Sequence, residues 1–174
     1  MDYSETYYVC NECHTLVSKE NTGIEVYDVT SEDNDLYGSN YWKKSMVDMT
    51  GESSLDGVVD YYLKERVVYW IKYILKYVPL GSSVAEIGCG LGQLAYLMKT
   101  IGYKQVAFEL SPEICDYIRT NLKVNIYCGE FGGTNEVFDA IIAFDLFEHI
   151  ANPKELLEKI ANSLTEQGVL CNQN

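Results

Sequence analysis

Basic charge is the first thing this sequence lacks: its 174 residues carry 13 Lys and Arg against 26 Asp and Glu, a formal charge of −13. So few cations argue against binding nucleic acid through its phosphates, because that affinity comes from counterions released by Lys and Arg. Long apolar runs are missing too. None approaches the ~20 residues of a bilayer span, so no membrane partner is expected. The start, Met1-Asp2-Tyr3-Ser4-Glu5, lacks the basic-then-apolar order of a secretory signal. The expectation is a soluble, cytoplasmic protein. Histidine occurs only twice, as His14 and His149, which narrows the choice of a side chain titrating near neutrality. Four of the six cysteines (Cys89, Cys115, Cys128 and Cys171) are scattered singly, which reads as reduced, small apolar residues rather than a disulfide framework.

What is present suits one domain with an extension. An apolar content of 47% is enough for a real core. The acidity is uneven: residues 1–60 hold 13 acidic and 3 basic side chains, residues 61–174 hold 13 and 10. The expected division is an acidic extension over 1–57 and a nucleotide-binding domain over 58–174.

The most informative segment is Ser83-Val84-Ala85-Glu86-Ile87-Gly88-Cys89-Gly90-Leu91-Gly92-Gln93, a buried strand running into a glycine turn and a helix. It departs from the dinucleotide fingerprint G-x-G-x-x-G in two ways. Gln93 replaces the last glycine, and a carboxylate, Glu86, stands just before the turn. A pyrophosphate at the helix N-terminus would be repelled by that carboxylate. S-adenosylmethionine, with its sulfonium and ammonium, would gain from it.

On Glu86, Gly88, Gly90 and Gly92 the chain resembles the class I S-adenosylmethionine-dependent methyltransferases, whose first motif is acidic-x-Gly-x-Gly-x-Gly. The next elements follow in order. Gln105-Val106-Ala107-Phe108-Glu109-Leu110-Ser111-Pro112 reads as a second strand ending in an acidic residue. The resemblance implies that Glu109 takes the two ribose hydroxyls, with Leu110 beside it. Phe138-Asp139-Ala140-Ile141-Ile142-Ala143-Phe144-Asp145-Leu146-Phe147-Glu148-His149-Ile150 is similar to the fourth strand and following loop of the small-molecule branch. By position after the third strand, Cys128-Gly129-Glu130-Phe131 would meet adenine, with Glu130 accepting from its amino group and Phe131 packing nearby.

The resemblance implies an α/β, Rossmann-like parallel sheet in the order 3-2-1-4-5. Ahead of it, apolar residues recur at three- and four-residue steps over 58–78, reading as one amphipathic helix closed by Pro79. Further helices are expected over 91–101, over 112–122 with proline at the first position, and from the Asn152-Pro153-Lys154-Glu155 cap. Gly168-Val169-Leu170-Cys171 reads as the opening of a fifth strand. The family's last strands are absent from the sequence, which suggests truncation after strand 5 and an exposed sheet edge through which the chain would oligomerise.

Methyl transfer from a sulfonium is an in-line displacement for which the protein aligns donor and acceptor and removes a proton where required. The loop after the fourth strand makes His149 and Asp145 the candidate catalytic residues. Were Asp145 to begin a helix, Glu148 and His149 would fall on its face and could hold a divalent cation, as in metal-assisted O-methyltransferases. Tyr37, Tyr41 and Trp42 resemble a lid segment that would face the sulfonium. Cys10 and Cys13, followed by His14, have the spacing of a zinc knuckle, half of a four-ligand site. The expected function is methylation of a small polar metabolite, such as a sugar nucleotide or another O-nucleophile. The rivals are an inactive S-adenosylmethionine-binding or scaffold protein, an oxidoreductase and a zinc-dependent interaction module.

Overall fold

The computed structural model describes residues 4–19, 41, 44, 46–132, 135–150 and 152–173. A short antiparallel hairpin, β1 (Tyr7–Val9) and β2 (Leu16–Ser18), comes first. Three helices follow: α1 (Met46–Thr50), α2 (Leu55–Glu65) and α3 (Val67–Ile74). The remainder alternates strand and helix: β3 (Ser83–Ile87), α4 (Gln93–Thr100), β4 (Lys104–Glu109), α5 (Pro112–Tyr117), β5 (Ile126–Cys128), β6 (Phe138–Phe144), α6 (Pro153–Asn162) and β7 (Leu164–Gln173). A π-helical turn over Ile118–Leu122 extends α5, and a 3-10 turn over Phe147–His149 follows β6.

The sheet runs β5-β4-β3-β6-β7 with every neighbouring pair parallel, which is the expected 3-2-1-4-5 order. Side chains alternate across it as the pleat requires. On one face Val84, Ala140, Ile142 and Phe144 pack with Val67, Ile71 and Ile74 of α3 and Leu94 and Met98 of α4. On the other, Ala85, Ile87, Phe108 and Ile141 meet Leu156 and Ile160 of α6. A third cluster joins Met46, Val58 and Val59 to Cys89, Leu91, Ala107 and Ile126, with Ile114, Cys115 and Ile118 from α5 and its extension.

The helix expected over 58–78 is two helices. Ser54 caps α2, its side chain accepting from the Gly57 amide at 3.2 Å, so the first helix begins at Leu55. Arg66, at φ −110° and ψ −50°, ends α2 and starts α3. Both helices bury apolar residues, Val58 and Val59 in one core cluster and Val67, Ile71 and Ile74 in another, so the apolar period continues through the break and hides it. The fifth strand also starts earlier than expected. Leu164 pairs with Phe138 and Val169 with Ala140, so residues 165–168 bulge out of the ladder. Gly168 permits this: a Cβ there would lie 3.0 Å from the Phe138 carbonyl oxygen and 3.0 Å from Leu164 Cβ.

Asn152 starts α6 as expected, its side chain accepting from the Glu155 amide at 3.3 Å. Among the described residues no helix is long and apolar enough to cross a membrane.

Candidate functional site

At the C-terminal ends of β3, β4 and β6 the chain assembles a cradle of glycine backbone and carboxylates, the position where open α/β sheets bind ligands. Gly88, Gly90 and Gly92 have φ of 70°, 53° and 78°, the left-handed region that glycine enters without a Cβ penalty. The Gly88 and Cys89 amides both donate to Phe108 O, at 2.9 and 3.2 Å, tying the turn to β4. Gly92 caps α4 and sits against Ile118, where a Cβ would come within 3.1 Å of two side-chain carbons. Gly92→Ala is therefore expected to destabilise the fold by about 1–2 kcal/mol from the backbone alone, and more through crowding. Thermal denaturation checks this against Gly51→Ala, at φ 73° with nothing within 4 Å of the added methyl, which should cost less.

Glu86 lies on β3 immediately before the turn and is only 6% exposed. Its Oε2 has no hydrogen-bond partner among the described residues. Burial, reinforced by the nearby Glu109 charge and opposed by the Ala95 amide in the first turn of α4, pushes its carboxyl up to about 8. A buried acceptor left unpaired costs free energy, which makes Glu86 Oε2 a candidate contact for a donor or a cation.

Glu109, at the end of β4, is partly buried and holds three amides. Oε2 accepts from Gly90 N at 3.1 Å, and Oε1 from Leu110 N and Ser111 N at 2.8 and 3.0 Å. Burial raises its pKa against the pull of those amides. The carboxylate thus fixes the middle of the glycine turn, and each oxygen still has lone-pair capacity beyond the amides it accepts. Leu110 is exposed beside it.

Leu146, in the loop after β6, reaches the turn: its Cδ1 lies 2.9 Å from the position of a Cβ on Gly88. That loop carries the two candidate catalytic residues. Asp145 has φ 49°, its amide donates to Gln173 O at 2.8 Å, and its carboxylate forms an ion pair with Arg66 at the α2–α3 break. The Arg66 guanidinium also lies 4.9 Å from the centroid of Trp70. His149 ends the 3-10 turn, exposed, with Nε2 4.0 Å from Glu148 Oε1. Asp145, Glu148 and His149 do not share a helix face. Among the described residues no three His, Cys, Asp or Glu side chains come together to hold a metal ion.

Arg66, paired with the candidate residue Asp145, was not singled out by the sequence. Its only signal was a charge inside an apolar stretch, and nothing in the pattern pointed to Asp145, far along the chain.

The remaining candidates lie as follows. Glu130 is exposed, 3.9 Å from Lys159 Nζ of α6. Phe131 is buried and meets Phe108 edge-on at 5.0 Å, within the core. Tyr41 packs against the cluster containing Met46. Tyr37 and Trp42 lie outside the described residues. Cys10 and Cys13 occupy the β1–β2 turn with free thiols, Cys13 Sγ lying 3.2 Å from Thr15 Oγ1. They supply two of the four ligands that a structural zinc requires, and the described residues add no others.

Residues 59–173 match the family described as methyltransferase domain. The chain belongs to this family. Its sheet order and glycine turn are those of the class I S-adenosylmethionine-dependent methyltransferases. One similar protein is (S)-coclaurine N-methyltransferase from Papaver somniferum, 37% identical over 101 residues, which are 52% of this chain and 28% of the relative. Another is a ubiquinone biosynthesis O-methyltransferase from Xanthomonas axonopodis pv. citri (strain 306), 27% identical over 104 residues, 53% of this chain and 42% of the relative. Among solved structures, coclaurine N-methyltransferase bound to N-methylheliamine and SAH aligns with a TM-score of 0.52 and 26% identity, over 67% of this chain and 36% of that one. The chain spans less than half the length of these relatives.

Proposed function

We propose that the chain binds S-adenosylmethionine in the glycine cradle and serves methyl transfer to a small molecule with an amine or hydroxyl nucleophile. The observation that carries this reading is the unpaired, buried Oε2 of Glu86 beside a turn of left-handed glycines. The cationic end of S-adenosylmethionine favours the ionised form of that carboxyl, whereas a pyrophosphate would only push it further toward the neutral form. When bound, the ligand supplies an electrophilic methyl group on a sulfonium.

In this reading Glu86, Gly88, Gly90 and Gly92 hold the amino-acid portion, and Glu109 with Leu110 holds the ribose. The adenine lies toward Glu130 and Phe131, and Tyr41 belongs to the covering segment. His149 is the base that takes a proton from the acceptor, and the Asp145–Arg66 pair braces the loop on which it sits. The small-molecule class is supported by the acidic charge balance and by relatives named for N- and O-methylation. The outer edge of β7 offers a place for pairing with another chain.

Thermal melting with S-adenosylhomocysteine and, separately, with a nicotinamide dinucleotide tests the ligand. At a hundredfold excess over the dissociation constant a bound ligand adds about 2.7 kcal/mol, several degrees in the midpoint. The expected shift is with S-adenosylhomocysteine alone; a shift with the dinucleotide alone overturns the reading. His149→Gln is expected to leave the S-adenosylhomocysteine shift intact and to lower turnover of an acceptor at least tenfold.

A further inference from the structure

Three cysteines from separate parts of the chain stand around Glu109: Cys89 in the glycine turn, Cys115 on α5 and Cys128 at the end of β5. Two of them hang from consecutive carbonyls. Cys115 Sγ donates to Glu109 O at 3.4 Å and Cys128 Sγ to Leu110 O at 3.9 Å. Cys115 belongs to the core cluster against which Cys128 packs. Cys128 pairs in register with Glu109, and the Gly129 amide donates to Glu109 O at 2.9 Å, so the cysteines are fixed to the residue that holds the glycine turn.

We propose that Cys115 and Cys128 are a redox modification site, closing into a reversible disulfide that loosens the ligand cradle at Glu109. The disulfide itself requires only the two thiols and a hydroperoxide; its effect on ligand affinity rests on the S-adenosylmethionine reading above. Cys128, half-buried, is the sulfur that a small oxidant reaches first, and Cys115 is fully buried. Burial also holds the Cys115 thiol protonated. The Cys128 thiolate attacks the peroxide, forming an S–O bond as the O–O bond breaks, and yields a sulfenic acid and one water. The Cys115 sulfur then displaces hydroxide from Cys128. That hydroxide leaves with the Cys115 proton as a second water. Two thiols are oxidised and one peroxide is reduced; a dithiol reverses the change.

The geometric consequence follows from bond length. An S–S bond of about 2.05 Å is far shorter than any contact between two thiols, so closure draws α5 toward the end of β5. Leu110 and Ser111, whose amides hold Glu109 Oε1, are the residues that lead into α5. Their displacement releases Glu109 from its fixed position against Gly90.

The test treats the whole chain with hydrogen peroxide, identifies linked peptides by mass spectrometry without reduction, and measures S-adenosylhomocysteine binding before oxidation, after it, and after dithiothreitol. The expected result is a peptide pair joined between Cys115 and Cys128, lighter by two hydrogens, with affinity lowered roughly fivefold or more and restored by the dithiol. Cys115→Ala should bind as the reduced wild type does and become insensitive to peroxide; Cys128→Ser should likewise form no link. Overoxidised Cys128 with no link, linkage confined to Cys10 and Cys13, or a Cys115–Cys128 link with unchanged affinity would each overturn the proposal. A reduced protein that forms the link but never binds S-adenosylhomocysteine overturns the ligand reading and leaves the disulfide standing.

Discussion

Glu86→Gln is expected to raise the melting temperature of the ligand-free protein at pH 8.5 and to weaken S-adenosylmethionine binding at least tenfold. The sign follows from linkage. The buried Glu86 carboxyl is pushed up to about 8 from an ordinary value of 4.5, so between those limits the folded chain binds more protons at this position than the unfolded chain. Stability then falls as pH rises through that window, and above it the whole penalty of a buried carboxylate is in place. That penalty is on the order of 5 kcal/mol, roughly 10–20 °C for a chain of this size. Glutamine keeps the shape and removes the charge, so the gain in melting temperature should be absent at pH 4.5 and grow toward pH 8.5. Affinity moves the other way, because an amide cannot neutralise an ammonium or a sulfonium. A variant equally stable with wild type across this range would show that Oε2 is not an unpaired buried carboxylate.

Glu109→Ala is the second large effect, and here stability and binding fall together. The side chain accepts from Gly90, Leu110 and Ser111, and its removal leaves three amides without their acceptor. Water reaches part of this site, so the expected loss is about 2–4 kcal/mol, a fall in melting temperature of roughly 4–16 °C. Glu109→Gln should lie between, since its oxygen can keep two amides while its NH2 group confronts the third as a second donor. Both variants should lose the melting shift given by S-adenosylhomocysteine. Retention of that shift in Glu109→Ala would remove Glu109 from the ligand site and leave it a purely structural brace.

The contrast between these two glutamates marks how much the sequence carried. The strand, the glycine turn and the acidic residue about 20 positions later were legible because each has a local signature: a β-branched or apolar run, obligatory glycines, and a spacing set by one helix and one strand. Sequence could not distinguish a carboxylate with an empty oxygen from one holding three amides, since that depends on which backbone groups the turn aims at each. The break at Arg66 was hidden by an apolar period that runs through it. Asp145 could be placed after the fourth strand, but its left-handed backbone is a conformation Asp tolerates without advertising. Its pairing with Arg66 joins residues that only the fold makes neighbours. The bulge at 165–168 left one trace, Gly168, and a glycine beside an expected strand start reads equally well as a simple turn. Phe131 follows the third strand of the fold as the sequence implies, but that its ring also packs edge-on against Phe108 in the core could be read only from the structure.

The central claim is that the cradle takes a cation-bearing nucleoside at Glu86. It is tested most directly by calorimetric titration with S-adenosylmethionine at pH 7 in two buffers of different ionisation enthalpy. One-to-one binding is predicted, accompanied by release of most of one proton, because the ligand's positive charge ionises a carboxyl that is largely protonated in the free chain; Glu86→Gln should bind more weakly and release none. The absence of any saturable heat with S-adenosylmethionine, or binding by wild type with no proton released, would contradict this account.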